Sequence, residues 1–125
     1  MKLTRVWPLL CLGVLYYVCA CRPKDTIMCT QEARAGLNIV VKDSRDNLFL
    51  RDSVKVIAVS GSYTEALDNF PGNPPTFIGA WEREGTYTIT VTHPRYQTCV
   101  LSPIYVLKDA CHVIAQSQTV ALLPK

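Results

Sequence analysis

The stretch EREGTYTITVTHPRYQTCV, residues 82–100, decides the fold class, because its central part alternates strictly between apolar and polar side chains. Tyr87, Ile89 and Val91 fall on one side of an extended chain, and the threonines between them fall on the other. A period of two residues is typical of a β-strand, and β-branched residues favour a pleated surface. The stretch therefore predicts a strand over residues 85–93 that packs one face on a core.

The same period of two recurs on both sides of this strand. Further strands are predicted over residues 37–43, 53–60, 62–67, 76–82, 96–108 with a break near Ser102 and Pro103, and 112–123. The separators are rich in turn-forming residues, and within the first of them only Asn47 tolerates a left-handed conformation well. About seven short strands in roughly 100 residues predict an all-β fold, a two-sheet antiparallel sandwich.

Length and charge limit the possible functions. The chain has 125 residues, enough for one domain, and 49% of them are apolar, which allows a packed core. The formal net charge is +3, and two of the positive charges, Lys2 and Arg5, lie near the N-terminus. Because no basic face remains for the domain itself, we do not expect a nucleic-acid partner.

The N-terminus has the pattern of a secretory signal. Lys2 and Arg5 precede an uncharged, apolar stretch, residues 6–21, which is shorter than the roughly 20 residues of a spanning helix. Ordinary signal peptidase requires small residues at the first and third positions before the cut, and Val18, Cys19 and Ala20 would permit cleavage after Ala20. The chain is therefore expected to be exported.

The same site resembles a bacterial lipobox, formed by Val18, Cys19, Ala20 and Cys21. The resemblance implies that Cys21 carries diacylglycerol through a thioether and, as the first residue of the mature protein, an acyl chain such as palmitate. Several chains on one cysteine give stable membrane anchoring. The expected destination is the cell envelope, the outer membrane in a Gram-negative cell. The alternative is a plain signal that releases a periplasmic or secreted protein.

Four segments together carry a family resemblance: AGLNIVVKD at 35–43, DSVKVIAVSGSYTEAL at 52–67, the opening stretch, and ACHVIAQSQTVAL at 110–122. They resemble the carboxypeptidase-regulatory-like, or transthyretin-like (prealbumin-like), domain of small bacterial lipoproteins, an Ig-like β-sandwich. The division expected is a lipoprotein signal peptide at 1–20, a polar tether at 21–28 and this domain at 29–125. Gly85 would form a tight turn, Tyr87 would pack inward, and Tyr96 would close the sandwich with its hydroxyl bonded to backbone.

Three cysteines remain once Cys21 is lipidated and Cys19 is removed with the signal, and they allow three single pairings. The family resemblance favours Cys29 with Cys111, which would also staple the segment before the first strand to the start of the last. Cys99 is then expected to be a buried, inert thiol. The alternative is a nucleophile served by His93 or His112, but no orienting acid or oxyanion motif accompanies it.

The other candidate residues do not point to catalysis or to a metal. We expect His93 to be a turn residue, His112 to bond backbone beside the disulfide, and Glu82 and Glu84 to lie on a solvated hairpin edge. No metal-ligand spacing and no phosphate-binding or nucleophile motif occurs in the sequence. The sequence therefore predicts a protein that is not an enzyme and has no cofactor.

Residues 68–79 form the candidate binding loop. Prolines stiffen it, and two phenylalanines could present apolar surface at modest entropic cost. The candidate residues are Phe70, Pro71, Pro74, Pro75 and Phe77. The alternative, which we favour, is a connection whose phenylalanines pack into the end of the sandwich.

These observations predict a lipid-anchored cell-envelope module with a structural or protein-interaction role. The membrane is the expected partner through the N-terminal lipid, and an envelope protein, peptide or glycan is a further possible partner. The alternative function is a peptide- or carbohydrate-binding lipoprotein that uses the loop at 68–79.

Overall fold

The computed structural model describes residues 27–125, and every regular element in this range is a β-strand. The predicted signal peptide at 1–20, the predicted lipid attachment at Cys21 and most of the predicted tether at 21–28 lie outside the described residues. The strands are β1 (Ala35–Asp43), β2 (Lys55–Ser60), β3 (Tyr63–Ala66), β4 (Asp68–Phe70), β5 (Thr76–Trp81), β6 (Gly85–His93), β7 (Tyr96–Val100), β8 (Ile104–Val106) and β9 (Gln116–Leu122).

The strands form two sheets, as the sequence predicts. One has four strands in the order β4-β5-β1-β9, and the other has five, in the order β3-β2-β6-β7 with β8 also paired to β6. All pairs of strands are antiparallel except β1 with β9, which run parallel. The two-sheet sandwich is confirmed, and the parallel pair places the final strand beside the first.

The predicted alternation fixes which faces are buried. Tyr87, Ile89 and Val91 of β6 are fully buried and face the other sheet's core residues. Those partners, Leu37, Ile39 and Val41 on β1, also follow a period of two, and Val56 and Ala58 of the neighbouring β2 extend the buried face of the five-stranded sheet. Burial of each large aliphatic side chain stabilises the fold by roughly 1.5–3 kcal/mol, so this shared core holds the sheets together.

Differences from the predicted strands occur where the chain turns. The structure has nine strands, not about seven, because residues 68–70 form the short β4 instead of a turn and residues 96–108 split into β7 and β8. The split falls at residues 101–103, at the predicted break. β7 and β8 then pair with different halves of the same edge of β6.

The predicted turn residues behave as expected. Asn47 has φ 58°, and Gly85 has φ 156°, a conformation that favours glycine. Beyond Gly85, the buried Tyr87 ring keeps its hydroxyl satisfied by donating a hydrogen bond to the carbonyl of Arg83 at 3.0 Å. Gly85 and Tyr87 therefore set the start of the central strand of the five-stranded sheet.

Tyr96 joins the two sheets, although not as predicted. Its hydroxyl donates to the side-chain carboxylate of Asp43, at the end of β1, and not to backbone. The buried Asp43 also accepts from the backbone N–H and the guanidinium of Arg45. The Arg45 and Tyr96 hydrogen bonds hold the pKa of Asp43 well below its usual range, so the carboxylate is charged in the folded state.

The Asp43 contact makes stability depend on pH. A carboxyl whose pKa is lower in the folded than in the unfolded state stabilises the fold above its unfolded pKa, and the effect is lost as the pH falls through the folded pKa. We expect Asp43→Asn to lower the unfolding temperature near neutral pH, and the difference from wild type to shrink as the pH falls from about 7 to about 2. Thermal unfolding followed by circular dichroism measures both.

Asp52→Asn is the matched control, because the Asp52 side chain is almost fully exposed. It should leave the unfolding temperature nearly unchanged. A difference between wild type and Asp43→Asn that stays constant over the whole pH range would contradict the role given to the Asp43 charge.

Candidate functional site

The segment that precedes β1 is covalently fastened to the sandwich. A disulfide joins Cys29 to Cys111, with the two Cα atoms 5.2 Å apart across 82 residues of sequence. The predicted pairing is confirmed. Cys21 lies eight residues before Cys29 in the sequence and outside the described residues. Any load applied to the N-terminal segment therefore reaches the domain at this disulfide.

A buried histidine, His112, also holds the segment that precedes β1. The ring of His112 lies with Nδ1 2.6 Å from a carboxylate oxygen of Glu82 and Nε2 3.0 Å from the hydroxyl of Thr30. His112 is only 7% exposed. The prediction that its ring bonds backbone is wrong, because both ring nitrogens meet side chains. Thr30 follows the disulfide directly, so His112 and Cys111 hold neighbouring residues of the N-terminal segment.

Glu82 completes the cluster, which we call the N-terminal clamp: the Cys29–Cys111 disulfide with Thr30, His112 and Glu82. Besides His112, the Glu82 carboxylate accepts hydrogen bonds from the backbone N–H of Arg34 at 2.8 Å and of Val113 at 3.2 Å. The prediction that Glu82 lies on a solvated hairpin edge is therefore wrong. Its carboxylate joins the segment before β1, the end of β5 and the segment before β9.

Hydrogen bonds keep two carboxylates charged here, that of Glu82 in the clamp and that of Asp109 beside it. Burial alone raises the pKa of Glu82, but the hydrogen bonds from the Arg34 N–H, His112 and the Val113 N–H together hold it below the ordinary value. The backbone N–H groups of His112 and Cys111 likewise lower the pKa of Asp109. Both carboxylates are charged acceptors of structural hydrogen bonds. This geometry fastens chain segments together.

Cys99 is the free cysteine of the described chain and packs, partly buried, against the core. It lies opposite Val91 in the β6–β7 pair, while Nδ1 of His93 accepts the backbone N–H of Arg95 at 3.0 Å, as a turn residue would. Among the described contacts no hydrogen bond joins the Cys99 thiol to a histidine. The structure thus brings no base to this thiol.

The predicted binding residues differ in how exposed their side chains are. Phe77 is 2% exposed and belongs to the core, whereas Phe70, on β4, is 59% exposed. Pro71 and Pro74 are exposed and Pro75 is half-buried. The two phenylalanines therefore point to opposite faces of the four-stranded sheet. One packs as the favoured interpretation expects, and the other is available to a partner.

Phe70 belongs to an apolar surface that the sequence reasoning missed. With Ile78 and Trp81 of β5, it borders a shallow concavity of about 450 Å³ on the outer face of the four-stranded sheet. We call these three residues the outer patch. The positive φ of Ala80, 53°, interrupts the alternation of inward and outward side chains along β5. Gly79 and Ala80 are consequently both buried, and the Trp81 side chain is exposed on the outer face. Strict alternation along the strand would place Trp81 on the core side, so the sequence pattern does not predict its exposure.

A second concavity lies on the side of the sandwich where β8 and β9 are edge strands. It measures about 430 Å³ and is lined by residues 101–105 together with Gln116 and Gln118. Towards the other end of β9 the sheets are closed by backbone bonds from Gln97 to Leu123 at 2.7 Å and from Lys125 to Arg95 at 3.1 Å. These bonds join the two sheets at that end of β9, and the concavity lies at the β8 end.

The described residues show neither a membrane-spanning helix nor a cluster of metal ligands. Within residues 27–125 no helix is long and apolar enough to span a membrane, and no group of three or more His, Cys, Asp or Glu side chains could hold a metal ion. No protein-family model matches the chain, and a search of curated proteins found no match. The resemblance to transthyretin-like domains therefore stays a prediction, while the β-sandwich itself is shown.

The disulfide should carry much of the domain's stability. Removing the cross-link frees a loop of more than 80 residues in the unfolded chain, so Cys29→Ser/Cys111→Ser should lower the free energy of unfolding by on the order of 4 kcal/mol. Urea unfolding of the variant and of wild type measures this difference.

Cys99→Ser provides the control because it keeps the cross-link. Its unfolding should remain sensitive to reductant, whereas that of the double variant should not. Equal reductant sensitivity in the two proteins would show that the disulfide is not the one described.

Proposed function

We propose that this chain is an exported, lipid-anchored β-sandwich module of the cell envelope, with a structural or protein-interaction role and no catalysis of its own. Its lipid is attached at Cys21, and the membrane is its first partner. An envelope protein, peptide or glycan is the further partner, and the module needs no cofactor and binds no nucleic acid.

The Cys29–Cys111 disulfide is the observation that carries this proposal. Stable disulfides are typical of oxidising compartments outside the cytosol, and they are rare where thiols are kept reduced. The disulfide supports export independently of the signal-like N-terminus, whose apolar stretch and flanking charges were read from sequence alone.

The position of the disulfide also fits an anchored protein. A lipid on Cys21 would be joined to the domain by only eight residues, and the clamp holds the chain at both Cys29 and Thr30. The Arg34 N–H bond to Glu82 adds a third attachment before β1 begins. Such repeated fastening suits a segment that transmits force between a membrane and a folded domain.

The clamp also supports a role other than catalysis. Glu82 and His112 form a carboxylate–imidazole pair that would otherwise suggest acid–base chemistry. Their contacts are used to join chain segments, since Glu82 accepts from Arg34 and Val113 backbone and His112 also contacts Thr30. The pair is built as a structural fastening.

Membrane fractionation of the full-length protein in a bacterial host tests the anchor. We expect wild type to stay in the membrane fraction after washing with high salt, because several acyl chains hold it there. Cys21→Ser should move to the soluble fraction or accumulate unprocessed.

Cys19→Ser is the matched control, since Cys19 lies two residues away and is removed with the signal under this proposal. It should remain in the membrane fraction. Membrane retention of processed Cys21→Ser, or release of wild type by salt alone, would refute the anchor.

A further inference from the structure

The outer patch exposes large apolar side chains on a sheet face that no other element of the described chain covers. Phe70 is 59% and Trp81 46% exposed, and Ile78 is half-buried between them. Pairing of Phe70 with Thr76 and of Asp68 with Ile78 places all four side chains on the same face. Contiguous apolar surface bordered by polar residues marks a site of contact with another molecule or a membrane.

The outer patch lies beside the N-terminal clamp. Trp81 directly precedes Glu82, which bonds His112 and the Arg34 backbone, and Ala33 and Arg34 themselves line the concavity. The segment that leaves the membrane anchor therefore passes along the rim of the outer patch. The anchor and the patch are attached to the same corner of the sandwich.

The length of the tether limits how far this corner can move from the membrane. The eight residue-to-residue steps from Cys21 to Cys29 span at most about 29 Å when the chain is fully extended. Ile27 and Met28, which immediately precede the disulfide, are also strongly exposed, Met28 to 91%. Exposed apolar residues thus also occur in the segment that would lead from the disulfide to the lipid surface.

We propose that the outer patch docks on the phospholipid surface to which Cys21 is anchored, an inference that rests on the proposed lipid anchor. Trp81 and Phe70, the more exposed of the three, lie where the headgroups meet the acyl chains, a level at which aromatic side chains are favoured, and Ile78 between them is covered by the headgroups. Docking fixes the orientation of the sandwich, with the four-stranded sheet towards the membrane.

The charges around the outer patch suit a headgroup contact. Arg34 lines the concavity, and its guanidinium is exposed and paired with the exposed Glu32 at 2.8 Å, so it can exchange this partner for a lipid phosphate. Asp68 lies on the same sheet face beside Ile78 and opposes deep insertion, because a carboxylate is costly in hydrocarbon. The docked position is therefore shallow.

Tryptophan fluorescence can test this docking directly. The sequence has two tryptophans, Trp7 and Trp81, and cleavage after Ala20 leaves Trp81 alone. The processed, lipidated protein would be reconstituted into vesicles of phosphatidylethanolamine and phosphatidylglycerol, with and without brominated acyl chains. We expect a blue-shifted Trp81 emission and a loss of intensity in the brominated vesicles.

Two variants separate the patch from the anchor. Phe70→Ser/Ile78→Ser keeps Trp81 and should lose most of the quenching while still sedimenting with the vesicles. Val100→Ser changes an exposed residue of the five-stranded sheet and should be quenched like wild type. Circular dichroism confirms that both variants are folded.

The two readouts distinguish failure of the docking from failure of the anchor. Wild type that sediments with vesicles but is not quenched would overturn the docking and leave the anchor standing. Wild type that stays in the supernatant would overturn both. Trp81 that is shielded from aqueous iodide but not quenched by brominated lipid would show that a protein, such as a second copy, covers the patch, which also overturns the docking.

Discussion

The carboxylate of Glu82 is the contact on which the arrangement at one end of this sandwich depends. It lies just after β5 and receives donors from two distant segments, the one before β1 and the one before β9. Each hydrogen bond to a charged group contributes more than a neutral one, and their common acceptor couples the three segments. The disulfide then makes the same junction covalent.

This junction places features of the chain that are far apart in sequence at one corner. The parallel β1–β9 pair brings the segment before β9 beside the segment before β1, so that Cys111 meets Cys29. The end of β5 brings Trp81 and Glu82 to the same corner. A membrane anchor at Cys21 and an apolar surface at Trp81 would therefore act on the domain at one place.

The sequence alone predicts the core well and, through the family resemblance, the disulfide of the clamp, but it does not predict the hydrogen bonds of the clamp. Alternation along β6 and β1 identifies Tyr87, Ile89 and Leu37 as buried, because a period of two is a local property of the chain. The Glu82–His112 contact spans 30 residues and depends on how two sheets meet, so no local pattern indicates it. Trp81 was missed for a related reason, since the positive φ of Ala80 reverses the facing that alternation predicts.

The most direct test of the anchored, disulfide-stapled module is the intact mass of the native protein extracted from membranes, measured with and without reductant and alkylation. We expect a chain that begins at Cys21, carries diacylglycerol and an acyl chain, and contains one disulfide and one free thiol, that of Cys99. A mass without lipid, or three thiols that alkylate before reduction, would contradict this description of the protein.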